Sequence, residues 1–222
     1  MSDNRSAIVS YSADEVRKRA TGVLKSSVSK RVMDPDRRSD RSDFDLNPEL
    51  MPGEPFLARL RRAAVLVPII KRSPEATILF TQRSAGLPTH AGQISFPGGK
   101  IEPQDETPLD TAYRETEEEI GIQRTNIEFL GFLDNYRTGT GYQIAPALGL
   151  VSADYTLKLD NNEVAEVFEV PLSFLMTVEN HQKHERKLNG RNRRFYAMPY
   201  QDRFIWGATA GILRNMFERL YI

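Results

Sequence analysis

Five carboxylates stand in the segment 110–121, which reads Asp-Thr-Ala-Tyr-Arg-Glu-Thr-Glu-Glu-Glu-Ile-Gly, and helical spacing brings three of them together. In a helix, Glu115 lies beside Glu118 and Glu119, three and four positions on, while Leu109, Ala112, Thr116 and Ile120 supply a packed side. Like charges so placed repel unless a cation stands among them, and hard oxygen ligands of this kind suit Mg²⁺ or Mn²⁺. A solvated acidic face balanced by Arg114 has the same composition, so the helix alone leaves both readings open. Just upstream stands Phe96-Pro97-Gly98-Gly99-Lys100. Paired glycines permit close backbone approach or positive φ. A sharp strand-to-loop turn at Gly98 and Gly99 would bring the Gly99 carbonyl to the carboxylates as a further oxygen ligand.

Such a cluster needs a helix held at a fixed height above a strand. The helix is expected over Pro108–Ile120, with Gly121 as its C-cap. Short apolar runs predict strands over 63–70 and 76–81 around a turn at Arg72-Ser73-Pro74, with a third, shorter strand over 94–96. Further strands are expected over 127–133, 143–151 and 164–170, and a short helix from Pro171 through Met176. A hairpin over 187–198 turns at Asn189-Gly190, and a last helix covers 206–220 with Ala210, Leu213, Met216, Phe217 and Leu220 on its apolar side. Strands surrounding two principal helices argue for a mixed α+β fold, an α/β/α sandwich. Residues 1–50 read as an arm set apart from a domain over 51–222. Ser12 and Glu15 can form a capping box for a helix running toward the high twenties, followed by a polar linker containing Arg37, Arg38, Asp40, Arg41 and Asp43.

Composition narrows the chemistry. The chain has 222 residues and no cysteine, which removes disulfides, thiolate metal sites and cysteine nucleophiles together. Thirty basic residues balance 30 acidic ones, so no global charge argues for nucleic acid. The longest apolar run, 63–70, is far short of the roughly 20 residues a bilayer span needs, and the opening Met-Ser-Asp-Asn-Arg lacks the apolar core of a secretory signal. The expectation is a cytoplasmic protein with no membrane partner.

Residues 99–122 resemble the Nudix box, in which a glycine, five variable residues and a glutamate are followed, seven residues on, by Arg-Glu-apolar-x-Glu-Glu-x-Gly-apolar. Glu106 would match the first glutamate, Arg114 and Glu115 the Arg-Glu pair, Glu118 and Glu119 the metal-binding pair, and Gly121 and Ile122 the close. Six residues rather than five separate Gly99 from Glu106, read as a one-residue bulge, and Thr116 stands in an aliphatic place. A second set of residues, Leu79-Phe80-Thr81-Gln82-Arg83-Ser84 and His90-Ala91-Gly92-Gln93-Ile94-Ser95-Phe96, resembles the coenzyme A pyrophosphatase branch of that family. Segments 163–168 and 205–210 are similar to it as well, so the likeness spans about residues 60–220.

What the resemblance implies is a Nudix-like sandwich that uses Mg²⁺ or Mn²⁺ to hydrolyse the pyrophosphate of coenzyme A, or of its derivatives, to 3',5'-ADP and 4'-phosphopantetheine. Glu115, Glu118 and Glu119 would hold the metal with Gly99. Glu163 is a candidate extra ligand or base, and equally a strand-edge carboxylate. Arg83 and His90 are candidates for phosphate contact beside Gly98 and Gly99, against the plainer roles of local ion pair and structural hydrogen bond. Glu106 with Arg114 reads as a scaffold ion pair. His181 and His184 lack a ligand pattern. Lys183, Arg186, Lys187, Arg191, Arg193 and Arg194 form the most basic region, which could attract a 3'-phosphate or a capped RNA but reads first as a solvated hairpin; Trp206 and Phe204 read as core. Two other readings stand beside this one: hydrolysis of another nucleoside diphosphate derivative such as ADP-ribose, and non-catalytic nucleotide binding by a regulator. Nucleic acid is otherwise not an expected partner, and self-association is left open.

Overall fold

Residues 63–70 are apolar without alternation because both faces of their strand are covered. β2 (Arg61–Ile70) sends Val65, Val67 and Ile69 into one hydrophobic core and Ala64, Leu66 and Ile70 into the other. The computed structural model describes residues 10–27, 41–87, 90–188 and 190–222. Among them β2 runs parallel to β8 (Tyr142–Val151), from Arg61 opposite Tyr142 to Ile70 opposite Val151. β3 (Thr77–Arg83) pairs antiparallel with β2 on one side and with β9 (Val164–Pro171) on the other, and β4 (Ile94–Ser95) also joins β3. β6 (Ile127–Phe132) and β7 (Tyr136–Arg137) return antiparallel along β8, and β1 (Arg41–Ser42) adds in parallel to β7. The sheet is therefore mixed, as the α+β expectation requires.

Helices cover both faces. α3 (Pro108–Ile120) packs Ala112, Tyr113 and Ile120 on one core, while α1 (Ala13–Ala20), α4 (Leu172–Leu175) and α5 (Ala208–Leu220) lie on the other, where Val16, Leu172, Leu213 and Met216 are fully or almost fully buried. A four-residue helix, α2 (Glu54–Leu57), leads into β2. α3 begins and ends where the sequence places it. Thr107 and Asp110 form a reciprocal capping box at its start, and Gly121 closes it with φ 78°. Thr116, in the aliphatic position, is buried and satisfies its hydroxyl by donating to the Ala112 carbonyl at 2.6 Å. No helix among the described residues is long and apolar enough to cross a membrane.

Three expectations change. The arm helix stops at Ala20 rather than in the high twenties, and Lys25 instead bridges Phe132 antiparallel. Residues 28–40, including Arg37, Arg38 and Asp40, lie outside the described residues, as does Asn189 of the expected turn. Gly98 and Gly99 do not form a strand-to-loop turn: β5 (Gly98–Lys100) is a strand, antiparallel to β2, with Gly98 opposite Val65 and Gly99 opposite Ala64. The hairpin begins earlier and is one part of a separate three-stranded sheet, β10 (Gln182–Leu188), β11 (Arg191–Tyr200) and β12 (Arg203–Trp206).

Candidate active site

The pairing of β5 with β2 pins the glycine pair under α3. Gly98 has φ 155°, and a side chain there would strike the Ala64 carbonyl; at Gly99 a Cβ would fall 2.3 Å from the Glu115 carboxylate. Glycine is required at Gly98, where a Cβ would meet the β2 backbone at positive φ, whereas at Gly99 a Cβ would displace the Glu115 carboxylate from its place against the strand. Glu119 is 5% exposed and accepts the Gly98 N–H at 3.3 Å. Burial pushes its carboxyl up to about 8, with Glu115 and Glu163 adding repulsion while the Gly98 hydrogen bond and the Arg83 charge oppose them. Glu115 is raised by burial too, held down in part by Arg114. Glu163 stands just before β9, and its backbone carbonyl accepts the Ser84 N–H at 2.8 Å. Its charge raises both helix carboxylates, so the structure brings it beside them.

Arg114 governs this group. One of its nitrogens donates to Glu115 at 2.9 Å and to Glu118 at 3.0 Å, while the rest of the fork holds Asp105 at 3.1 and 3.0 Å. Asp105 is 3% exposed, also accepts the Thr111 hydroxyl at 2.8 Å, and is drawn down to about 2 chiefly by Arg114. The expected scaffold pair of Glu106 with Arg114 is thus corrected: Glu106 is exposed and Asp105 takes the arginine. Five residues separate Gly99 from Asp105, so the extra residue lies between the acid and Arg114 and not in the glycine loop.

With Glu115 and Glu118 both drawn to Arg114, no three acidic or histidine groups among the described residues stand close enough together to hold one ion as arranged. The donor set nevertheless fits a hard divalent cation. Glu119 is a buried carboxylate whose only hydrogen bond among the described residues is from a backbone N–H, and Glu118, 60% exposed, is restrained by one arginine contact.

Glu115, Glu119 and Glu163 border a cavity of about 800 Å³, and Arg83, His90, Gly98 and Gly99 border it with them. That volume suits a ligand of nucleotide size or larger. The buried Nε of Arg83 has no hydrogen-bond partner, a donor left open beside the carboxylates. His90, exposed and with φ 59°, pairs its Nδ1 with Gln93 Oε1 at 2.8 Å; its loop geometry is therefore fixed locally, through Gln93. Glu118 does not border the cavity in this arrangement.

The basic hairpin also lines this cavity, where the sequence reads it first as solvated and as a phosphate contact only second. Arg186, Arg193 and Arg194 border the same cavity, as do Phe195 and Trp206, so Trp206 is not core, while the hairpin stays solvated, with Lys183, Arg186, Lys187, Arg191 and Arg194 exposed. Phe204 is 41% exposed and is not core either. His181, by contrast, is structural: it is buried and its Nε2 donates to the Leu175 carbonyl at 2.7 Å. The N-terminal segment completes this wall. Asp43 accepts from the Tyr136 hydroxyl, the Gly139 N–H and Arg193 at 2.9, 2.7 and 2.9 Å, and the Arg193 fork lies where a Cβ on Gly139 would be. The signal for Asp43 was absent because its partners are about 95 and 150 residues away in sequence.

Residues 60–197 match the model of the NUDIX domain. The uncharacterized Nudix hydrolase NudL of Yersinia pestis is 41% identical over 167 residues, covering 75% of this chain and 83% of its own length. Its counterpart in Yersinia pseudotuberculosis matches equally, at 41%. Among solved structures, the chain is similar to the Ap4A hydrolase of C. elegans, 21% identical over 50% of this chain and 80% of its own with a TM-score of 0.44. The NUDIX domain of Shewanella oneidensis NrtR, complexed with ADP ribose, is 20% identical over 59% of this chain and 82% of its own, with a TM-score of 0.40.

Proposed function

Because this chain belongs to the Nudix family, we propose that it hydrolyses the pyrophosphate bond of coenzyme A or its acyl derivatives. The observation that carries the reading is the buried Glu119 beside Glu115 and Glu163, bordering one nucleotide-sized cavity with the unpaired Nε of Arg83. The choice of coenzyme A rests on the residues 79–84 and 90–99 that resemble the coenzyme A branch, and both stretches contribute to that cavity through Arg83, His90 and Gly99.

Glu115, Glu118 and Glu119, with the Gly99 carbonyl, would hold Mg²⁺ or Mn²⁺, which supplies neutralisation of the diphosphate and activation of water when bound. Arg83 donates to the diphosphate and offsets the charge of the leaving phosphate. Asp105 fixes Arg114, and Arg114 in turn orients Glu115 and Glu118. Glu163 would accept a proton from the attacking water. The water oxygen bonds to phosphorus as the bridging P–O bond breaks, which gives 3',5'-ADP and 4'-phosphopantetheine, or its acyl form, with no protein nucleophile.

The test is mass-resolved product analysis with coenzyme A and either Mg²⁺ or Mn²⁺, with ADP-ribose as the comparison substrate. Release of the two named products, reduced at least about 100-fold in folded Glu118→Gln and Glu119→Gln proteins, is expected. Turnover of ADP-ribose alone would overturn the substrate, and metal-independent turnover would overturn the carboxylates' role.

A further inference from the structure

The register of the hairpin sets Arg186 directly opposite Arg193. Directly opposed residues of an antiparallel pair share one face, and like charges so placed are destabilising. Folding alone gives no reason for the pair. Asp43 answers Arg193 at 2.9 Å, but among the described residues Arg186 makes no ion pair or hydrogen bond. Both arginines border the cavity that holds Glu115 and Glu119.

Farther along the same face the chemistry turns aromatic. His184 is opposite Phe195 and Ala197 opposite Trp206, so these rings follow the arginines across the small sheet. Phe195 meets Trp206 at 5.4 Å between ring centres, and both are only partly buried while bordering the cavity. A planar heterocycle can lie against such rings, and a dianion can sit between two guanidinium groups. The combination matches a nucleoside that carries a phosphate monoester of its own.

We propose that Arg186 and Arg193 form a phosphomonoester subsite, separate from the pyrophosphate-cleaving carboxylates, which takes a ribose-bound phosphate while the base lies against Phe195 and Trp206. The inference rests on the reading of this cavity as a coenzyme A site, since coenzyme A carries a 3'-phosphate on its adenosine and ADP-ribose does not. Asp43 holds Arg193 in place and Gly139 makes room for its fork, so the arginine is preset. Arg186 adds the uncompensated charge. Contacts to a group that takes no part in the bond being cut act through binding energy, so the 3'-phosphate is read in kcat/KM.

The experiment is calorimetric binding of 3',5'-ADP and of 5'-AMP to the full chain in chelator, repeated with Arg186→Gln and with Lys187→Gln, each checked by circular dichroism and melting. Lys187 is the neighbouring exposed charge on the same strand and does not border the cavity. The wild type is expected to prefer 3',5'-ADP by about tenfold or more, a preference that Arg186→Gln reduces to about twofold and Lys187→Gln retains. Equal affinities in the wild type, or an equal loss in the two variants, would overturn the subsite. Turnover of coenzyme A against 3'-dephospho-coenzyme A separates the two readings. Hydrolysis of both with the same kcat/KM removes the subsite and leaves the hydrolase; no hydrolysis of either, with the binding preference intact, does the reverse.

Discussion

Asp105 shows how finely one position divides the readable from the hidden. A count from Gly99 reaches Glu106 by allowing one extra residue, and glutamate is the type the Nudix box calls for, so the sequence favours it. The backbone decides otherwise. The turn before α3 buries Asp105 within reach of Thr111 and Arg114 and leaves Glu106 in solvent, which a pattern of residue types does not encode. Glu115, Glu118 and Glu119 were legible because helical spacing fixes their neighbourhood whatever the surroundings. Breaking the Asp105–Arg114 pair removes the buried anion that holds two arms of the half-buried fork, leaves the guanidinium to Glu115 and Glu118 alone, and loosens those two together. Asp105→Asn is therefore expected to cost about 2 kcal/mol in urea unfolding and to lower kcat, whereas Glu106→Gln should leave both near the wild-type values. A larger loss from Glu106→Gln than from Asp105→Asn would return the scaffold role to Glu106.

At the scale of elements, what the sequence announces is what local chemistry determines. α3 carries its own stop at Gly121 and its own apolar stripe, and β2, β3, β8 and β9 each contain an apolar run, continuous in β2 and broken by glutamates in β9, so the expected bounds lie within two residues of the observed ones. β5 was hidden because two glycines read as a turn, and only the backbone of β2 makes them a strand. β1 was hidden because two residues cannot announce a strand. Asn47 is the case with the largest consequence. Fully buried, it donates to the Arg194 carbonyl and accepts the Arg194 N–H, both at 2.8 Å, and so fastens the segment after β1 to the edge of β11. Asn47→Ala strands both groups of Arg194 without a partner. A loss of about 2 kcal/mol is expected, with hydrogen exchange accelerated at the Arg194 amide but not along β2 or β8. Unchanged exchange at Arg194 would mean that the segment merely rests on the hairpin.

The whole molecule joins two sheets around one cavity, and the joint contains a titratable group the proposed reaction does not use. His181 lies between α4 and α5, edge-on to Phe217 at 5.3 Å, with its Nε2–H donated to Leu175 and its buried Nδ1 unpaired. Burial lowers its pKa below 6.5; the carbonyl of Leu175 and the charges of Glu218 and Glu179 act upward, and that of Arg214 acts downward. The unfolded chain therefore binds a proton more readily than the native one, and between the lowered value and about 6.5 stability rises with pH. Acidification through this window must force a charge into the joint or open it. Glu119, raised to about 8, works in the opposite sense over its own range from about 4.5 upward in metal-free protein, so the wild-type profile is a sum of the two. His181→Gln keeps an N–H for the Leu175 carbonyl and cannot titrate. The difference in stability between wild type and this variant, measured by urea unfolding in chelator from pH 5 to 8, is expected to shift toward the variant as pH falls below 6.5 and to be flat above it. A difference that is flat throughout would show that His181 is accommodated with equal ease in either charge state, and that the joint between the sheets opens to water on the acid side.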